Sequence, residues 1–410
     1  MTGTDPRPSC DPTQPWAPAP MPALRSGPPF LMAGAIGREP DLAGRLLSDG
    51  AASTAAAEIA RLVHAGASSG WPAAVVGCGT SEHAAMAAAA IWREAWRAMG
   101  LPGPGPVARQ AFEAALDPWP GALVAITHEG GSQATIDAMD AARDRGATVS
   151  LITAAANSPA AGAADACLCT GPTDLSWCHT IAYVMPIVAA IAVADRMTGR
   201  TTTPASVRAA LDAGLMAGDA AAALGRTLAS NRSLVVVGSG VDRGAGRELT
   251  LKIEEAAYVP TTFHDLETLL HGHIPSMDVG TGAVLVLADR DGLERRAARA
   301  RQALAAVARV GVRCGAILGD VAAAMIPASL TPAGRVVAGL PDDIPGAAGA
   351  LLASAIPLQL TTYHLALALG TNPDVLRREH APYRAAAELA DAPADEIAGS
   401  AGEDLPYPGS

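Results

Sequence analysis

The chain carries the same structural pattern twice, and this repeat limits the folds that it can adopt. In the first copy the apolar segment Ala73–Val76 leads into the turn Gly77-Cys78-Gly79, and a helical stretch runs from Glu82 to Trp96. In the second copy the order recurs as Leu234–Val237, Gly238-Ser239-Gly240 and a helical stretch from Gly244 to Tyr258. Gly77 and Gly238 lie 161 positions apart, as do Gly121 and Gly282, which begin the next apolar segments. Each copy therefore predicts a buried strand, a tight turn and a long helix.

Strands that alternate with helices predict a parallel sheet covered by helices on both faces. Third strands are predicted at Thr148–Ile152 and Val312–Leu318. We therefore predict an α/β protein with two doubly wound domains, residues 45–205 and 206–385, joined near Gly199–Pro204. Residues 1–44 form a leader and N-terminal extension in this scheme, and residues 386–410 form a C-terminal tail.

Composition agrees with this class. Half of the 410 residues are apolar and only 3% are aromatic, which is typical of helices packed on sheets. The net charge of −11 argues against a nucleic-acid partner, whereas small anions can still bind at helix N-termini. The cysteines form neither a disulfide framework nor paired zinc spacing, so we expect a reducing cytoplasm. They are Cys10, Cys78, Cys167, Cys169, Cys178 and Cys314.

Two segments bear on targeting. Met1–Pro29 is rich in proline and has no apolar core, so we interpret it as a disordered leader and not as a signal peptide. The longest apolar run, Ile181–Ala194, is shorter than the roughly 20 residues that span a membrane. It predicts a buried helix, and no membrane association is expected.

The Gly-x-Gly turns raise the possibility of a dinucleotide-binding dehydrogenase. Neither copy completes the G-x-G-x-x-G fingerprint, since Glu82 occupies the last position of the first copy. No acidic residue ends an obvious second strand, where it would bind a ribose. This alternative is therefore disfavoured, and no cofactor is predicted.

Three loops follow predicted strands of the first domain, at the edge where open parallel sheets bind ligands. They are Cys78-Gly79-Thr80-Ser81, Thr127-His128-Glu129-Gly130-Gly131-Ser132, and Asp174–Thr180, which contains His179. Each offers hydroxyls and backbone amides at the start of a helix, as an anionic group requires. Ser, Thr and Gly also serve as ordinary helix caps. Three such loops at equivalent strand ends favour a binding site over simple capping.

The chain contains a single lysine, Lys252, among 29 lysine and arginine residues. Lys252 and Glu255 are spaced i,i+3 and therefore share a helix face, whereas Glu254 points elsewhere. A partly buried carboxylate beside an ammonium is a plausible general base for a proton next to a carbonyl. The simpler interpretation is an exposed ion pair of little energetic consequence.

These residues resemble the isomerase half of glucosamine-6-phosphate synthase, a tandem of two SIS (sugar isomerase) domains. That family has a Cys-Gly-Thr-Ser turn, matched by Cys78–Ser81, and a Ser-Gln-Ser-Gly-Glu-Thr phosphate loop, which corresponds to Thr127–Ser132. Its Leu-Lys-Leu-Lys-Glu motif is similar to Leu251–Glu255, and its Glu-Leu-Lys-His-Gly-Pro motif to the segment around His271, which follows Glu255 by sixteen residues. The resemblance covers about residues 30–385. The family's glutaminase domain has no counterpart in the first 44 residues.

The resemblance implies roles for three residues. Glu255 would move a proton between C1 and C2 of an open-chain sugar, and Lys252 would lie beside it. His271 would open the sugar ring, usually within the site of a neighbouring subunit, so a homodimer with a shared site is expected.

The chain departs from the family pattern in the phosphate-binding loops. Glu129 replaces a phosphate-binding serine, and a carboxylate beside a phosphate is unfavourable unless it turns away or pairs with a cation. A sulfonate or an uncharged sugar terminus therefore stays open as an alternative. His179 also replaces a serine. A metal site made by His83, His128 and His179 is disfavoured, because no two of them have the i,i+4 spacing of a paired helical site.

A further departure concerns covalent chemistry. The family's synthase has a lysine near its C-terminus that forms a Schiff base with the ketose. The corresponding segment here, Thr371–Arg378, contains arginine and no lysine. Arginine cannot form this imine, so Arg378 is expected to approach the substrate as a cation.

These observations predict a cytoplasmic aldose–ketose isomerase that acts on a sugar, most plausibly a sugar phosphate. The same residues also allow a reaction coupled to gain or loss of an amine, with free ammonia or a separate ammonia-supplying subunit. They are compatible, too, with a fructosamine-phosphate deglycase, an isomerase of a sulfonated sugar, or a non-catalytic subunit that binds sugar phosphates.

Overall fold

The computed structural model describes Pro22 and residues 25–67, 70–339 and 341–392. The predicted leader Met1–Pro29 lies mostly outside these residues. The helices of the first half are α1 (Leu31–Ser48), α2 (Gly50–Gly66), α3 (Thr80–Ala98), α4 (Ala111–Leu116), α5 (Gln133–Asp144), α6 (Pro159–Ala163) and α7 (Ile181–Thr198). Its strands are β1 (Ala74–Gly77), β2 (Val107–Gln110), β3 (Ala122–Thr127), β4 (Thr148–Thr153) and β5 (Ala166–Cys169).

The second half repeats this arrangement. Its helices are α8 (Pro204–Met216), α9 (Gly218–Leu228), α10 (Asp242–Ala257), α11 (Leu266–Thr268), α12 (Leu293–Arg309), α13 (Asp320–Met325), α14 (Gly346–Leu369) and α15 (Ala381–Asp391). Its strands are β6 (Ser233–Gly238), β7 (Thr261–Asp265), β8 (Thr281–Leu287), β9 (Arg313–Gly319) and β10 (Gly334–Ala338).

Each half contains a five-stranded, wholly parallel sheet. The strand orders are β2-β1-β3-β4-β5 and β7-β6-β8-β9-β10, so both sheets have the same topology. The predicted α/β class with two doubly wound sheets is confirmed. In this topology the chain reverses direction across the sheet between the first and third strands, and the crevice at their carboxyl ends is the usual ligand position. This crevice lies after β1 and β3 in the first half, and after β6 and β8 in the second.

The two halves meet through helices that are apolar on nearly all sides. In α7 the residues from Ile181 to Ile191 are buried, and α14 is buried along most of its length. By length and composition both helices are long enough to cross a membrane, but 72% and 83% of their apolar windows are buried inside the protein. Such burial is typical of core helices of soluble proteins.

Helices pack closely within each half and also between the two halves. A Cβ at Gly225 of α9 would lie 2.7 Å from the backbone nitrogen of Leu365 in α14, so only glycine allows this approach. The Nε1 atom of Trp92, on α3, donates to the carbonyl of Ala190, on α7, over 2.9 Å. Helices α3 and α10, which follow the two repeated turns, also pack against each other. Residues from both halves therefore come together at this helix pair.

Helices lie at or across each predicted domain limit, and the limits themselves stay predictions. Helix α1 lies largely in the predicted N-terminal extension, and it packs against α7 and α8. Helix α8 begins at Pro204, the predicted join. Helix α15 extends across residue 385, where the tail was predicted to begin.

Candidate functional site

Helix α10 places a lysine and two glutamates on one face. Lys252 has no exposed side-chain surface, its Nζ atom donates to Glu255, and it lies 3.8 Å from Oε1 of Glu248. Glu255 keeps 21% of its side chain exposed and Glu248 only 1%. Glu254 is exposed, as its position on the helix predicted, and accepts from the Thr261 amide over 3.2 Å. Burial of Lys252 excludes the alternative of an exposed ion pair.

The first half contributes to this group through α3. Nδ1 of His83 lies 2.8 Å from Oε2 of Glu248, and the hydroxyl of Thr80 donates to Oε1 over 3.4 Å. Thr80 belongs to the predicted Cys78–Ser81 loop, so these contacts join a strand-end loop of the first half to the charged face of α10. Glu248 was not predicted from the sequence. Its i,i+4 spacing to Lys252 was the available signal.

The charges in this group determine the state of the lysine. Burial by itself lowers the pKa of Lys252, but the nearby Glu255 and Glu248 outweigh burial and hold that pKa above the ordinary lysine value. Burial raises the pKa of Glu255, and the ammonium of Lys252 opposes this increase. Lys252 is therefore a buried cation and not a free amine. An amine nucleophile must be deprotonated to form a Schiff base.

Cys178, in the third strand-end loop, also contacts this group of charged residues. Its thiol is fully buried and hydrogen-bonds with Glu255. Burial raises the pKa of this thiol well above its ordinary value, so the group is a neutral S–H. Cys178 lies three residues before α7. The sequence did not single it out, because a lone cysteine in a loop carries no specific signal.

His128 and His179 lie side by side between the second and third loops, with ring centroids 4.7 Å apart. Nε2 of His128 accepts from the Asp174 amide over 2.8 Å. Burial lowers the pKa of His128, and burial together with His128 and Lys252 lowers the pKa of His179 further. Both rings are therefore neutral near pH 7. Within the described part of the chain no three His, Cys, Asp or Glu side chains are grouped as metal ligands.

The predicted phosphate loop has a fixed turn geometry. Gly130 has a positive φ of 72°, its amide donates to the Thr127 hydroxyl over 3.3 Å, and an added Cβ would lie 2.0 Å from Oγ of Ser158. Ser132 is exposed and begins α5. Since the first amides of a helix have no partner within the helix, α5 presents donors at this strand end. Gly131 and the half-buried Glu129 lie within the same loop.

The Cys78–Ser81 loop is equally specific in geometry. Gly79 has a φ of 55° at the start of α3, a conformation that glycine adopts without strain. The Cys78 sulfur lies 3.9 Å from the Thr135 hydroxyl, on α5. Ser81 is buried in the first turn of α3. The loops after β1 and β3 are therefore held against each other.

Arg378 lies at the rim of the third loop. Its guanidinium stacks over the Trp177 ring at 5.0 Å, and the Trp177 amide donates to the Asp374 carbonyl over 2.9 Å. The carboxylate of Asp374 in turn accepts from the Leu31 and Met32 amides at the start of α1. The C-terminal segment is thus anchored beside the loop that carries Cys178 and His179.

His271 lies apart from this group within the single chain. It belongs to an irregular turn, Leu269–His273, with 68% of its side chain exposed, and its Nε2 lies 2.7 Å from Oε1 of Glu267. Arg299 binds the same carboxylate. Of the three residues predicted to be catalytic, the structure therefore brings together Lys252 and Glu255. The role of His271 in a neighbouring subunit stays a prediction.

The repeated sheets and the strand-end loops around Lys252 define the class of fold, which is that of two tandem SIS domains. The resemblance inferred from the motifs is confirmed at the level of fold. No protein-family profile matches the chain, and no curated protein is significantly similar to it in sequence.

Solved structures show the likeness. The C-terminal domain of glucosamine-fructose-6-phosphate aminotransferase from Francisella tularensis matches with a TM-score of 0.70 and 19% identity, over 86% of this chain and 99% of that one. Tagatose-6-phosphate ketose/aldose isomerase from Escherichia coli matches with a TM-score of 0.67 and 15% identity, over 87% and 97%. Glucosamine-6-phosphate deaminase from Thermotoga maritima matches with a TM-score of 0.63 and 16% identity, over 84% and 96%.

Proposed function

We propose that this protein is a sugar-phosphate isomerase that moves a proton between C1 and C2 of an open-chain sugar. The observation that carries the proposal is the buried ion pair of Lys252 and Glu255 beside the strand-end loops of the first half. The solved structures with the same fold include a ketose/aldose isomerase of a sugar phosphate. A cytoplasmic location is part of the proposal.

Glu255 is the proposed base. Its carboxylate removes the proton from C2 of the aldose, and the C–H electrons form the C1–C2 double bond of an enediol(ate). The proton then returns to C1, and the hydroxyl proton of O2 passes to O1 to give the ketose. Burial raises the pKa of Glu255, which makes this carboxylate a stronger base than an ordinary glutamate. The S–H group of Cys178 hydrogen-bonds with Glu255 and orients it.

Lys252 is the proposed electrostatic partner. The enediolate develops negative charge on oxygen, and a fixed ammonium without surrounding water stabilises that charge strongly. His83 and Glu248 hold the lysine face of α10 against α3. Because Lys252 stays protonated, we favour plain isomerisation over a reaction that proceeds through a lysine imine.

The loops after β1 and β3 are the proposed site of the sugar's anionic group. Cys78 and Gly79 precede α3, which begins with Thr80 and Ser81, and Thr127, Gly130, Gly131 and Ser132 lie between the end of β3 and the start of α5. Helix N-termini stabilise phosphate through unpaired amides and the helix dipole. His128 and His179, as neutral rings, are proposed to bind sugar hydroxyls. Glu129 turned towards this position would favour a terminus with less charge than a phosphate dianion.

Two further elements complete the proposal. Arg378 is held above the Trp177 ring, where it can approach a bound anion. His271 is proposed to open the sugar ring in the site of a second subunit, since its exposed position leaves it accessible to a partner. A reaction that also gains or releases an amine is the second candidate. It is favoured by the aminotransferase and deaminase among the solved structures with this fold.

Proton exchange tests the proposal. The protein is incubated in deuterated water with fructose 6-phosphate, glucosamine 6-phosphate, related ketose phosphates and a sulfonated analogue, and the sugars are followed by NMR. We expect deuterium at C1 or C2 of at least one sugar. Release of ammonia alongside exchange would identify the amine-linked reaction. Ligand-induced thermal stabilisation without exchange would instead identify a sugar-binding subunit.

The variant Glu255→Gln tests the assignment of the base. We expect exchange to fall by about 10²- to 10⁴-fold, the usual contribution of a general base. Glu254→Gln is the matched control, because this residue is adjacent on α10 but exposed. Full exchange in Glu255→Gln would refute the assignment.

A further inference from the structure

Helices α3 and α10 share a second surface, formed by residues other than those around Lys252. On α3 this face consists of Glu82, Met86, Ala90 and Arg93, and on α10 of Arg243 and Arg247. These residues line a cleft of about 290 Å³ between the two halves, together with Arg109 and Gln110 of β2. A larger cleft of about 780 Å³ adjoins it and shares Arg93 and Arg243.

The smaller cleft has an excess of positive charge. Four arginines line it, whereas Glu82 is its one acidic side chain. Three of these arginines have a carboxylate partner: Arg247 lies 3.6 Å from Glu82, Arg243 pairs with Asp265 over 2.9 Å, and Arg109 pairs with Asp117 over 3.1 Å. Arg93 is half-buried, and among the described residues no carboxylate lies within ion-pair distance of it. This concentration of cations occurs in a chain whose net charge is −11.

The cations around Arg93 repel one another. Burial lowers the pKa of Arg93, and the nearby Arg97 and Arg243 lower it further. The larger cleft balances its arginines with four acidic residues, Glu94, Asp265, Asp289 and Asp291, and Arg93 forms an ion pair with none of them. Glu94 accepts from the Gly346 and Ala347 amides over 3.2 and 2.7 Å. Asp289 pairs with Arg296 over 2.7 Å. Arg93 is therefore a half-buried cation near like charges, and a bound anion would stabilise it.

We propose that this arginine cleft binds a small organic anion that carries more than one phosphate group, at a site separate from the Lys252–Glu255 site. Guanidinium groups bind phosphate through paired, charge-assisted hydrogen bonds. The volume of the smaller cleft, about 290 Å³, suits a small phosphorylated ligand. Arg93 and Arg109 come from the first half, and Arg243 and Arg247 from the second, so the anion would bridge the halves.

Binding of inorganic pyrophosphate tests the proposal, measured by calorimetry and by thermal shift at constant ionic strength. We expect saturable binding and a raised Tm. Orthophosphate should bind at least about tenfold more weakly, because it reaches fewer guanidinium groups and loses about one pair of charge-assisted hydrogen bonds. Arg93→Gln should weaken pyrophosphate binding about tenfold or more, and Arg247→Gln provides the same test if Arg93→Gln does not fold. Arg232→Gln is the matched control, since Arg232 is exposed and pairs with Asp278 away from the cleft.

A second arm separates this site from the proposed active site. Ser132→Asp places a negative charge in the phosphate loop and should leave pyrophosphate binding unchanged. Arg93→Gln should leave proton exchange unchanged. Unaltered pyrophosphate affinity in Arg93→Gln and Arg247→Gln, or loss of binding in Ser132→Asp, would overturn the proposal.

Discussion

The crevices of the two sheets have the same topology but are filled differently. Counted along the repeat, Ser81 of the first half corresponds to Asp242 of the second, and His128 corresponds to Asp289. The carboxylate of Asp242 accepts from the Ala288 and Asp289 amides over 2.9 and 3.0 Å. The carboxylate of Asp289 accepts from the Val241 amide over 3.1 Å. In the second half, therefore, the protein's own carboxylates accept hydrogen bonds from the backbone amides at the strand ends.

The first half has no carboxylate at these two positions, since a serine and a neutral histidine replace them. The helices α3 and α10 differ in the opposite sense. Glu94 of α3 is the counterpart of Glu255 of α10, and Ile91 is the counterpart of Lys252. Glu94 caps α14, whereas Glu255 pairs with a buried lysine. The comparison teaches that each half satisfies a different set of polar groups internally: the second half at its strand ends, and the first half at the Glu94 position of α3.

Removal of the lysine should give the largest effect. Lys252→Met leaves Glu255 and Glu248 without their cation, and breaking a buried pair in this way costs about 3–5 kcal/mol. We expect this loss in the free energy of unfolding, measured in urea at pH 7. The double variant Lys252→Met/Glu255→Gln should recover part of the stability, because it removes one unpaired carboxylate. A loss below about 1 kcal/mol would show that the pair behaves like an exposed one.

Replacing each of the corresponding residues Glu94 and Glu255 with glutamine should separate effects on stability from effects on proton exchange. Glu94→Gln weakens the cap of α14 and should cost about 0.5–2 kcal/mol of stability, with proton exchange retained. Glu255→Gln should have the opposite balance, with exchange lost. Urea unfolding and deuterium exchange on both variants provide the measurement. Equal loss of exchange in the two variants would contradict the division of roles between the halves.

The smallest effect is expected from Asp242→Asn. Burial raises the pKa of Asp242 from 3.8 to about 7, so the folded state favours the protonated form. This contribution to stability is present below pH 4 and is lost as the pH rises towards 7. Asparagine keeps an oxygen that can accept from both amides but does not ionise, so the decline in Tm between pH 4 and 7 should become smaller. Identical pH profiles for the two proteins would contradict this account.

The repeat in the sequence was sufficient to predict the central strands of both sheets. Their runs of Val, Leu and Ile are buried on both faces, and such strands have a clear apolar signature. The edge strands β2, β7 and β10 were not predicted. They are only partly buried and contain polar residues, as in Val107–Gln110, so no apolar run indicates them.

The candidate site was predictable only where its residues are close in sequence. The i,i+3 spacing of Lys252 and Glu255 predicted their contact, which the structure shows. The contact of His83 with Glu248 joins residues 165 positions apart, and no local pattern indicates it. The arginine cleft has the same origin, because Arg93 and Arg243 come together only when α3 packs on α10.

The sequence by itself determined that the fold is built twice, which edge of each sheet carries the strand-end loops, and which helix carries the lysine. These features follow from local periodicity and spacing, which act within a few residues. The tertiary structure alone decided which of the two crevices is filled by internal carboxylates and which charge state Lys252 holds. Both depend on burial and on the distances between charges from different elements, and these are set only when the two halves pack together.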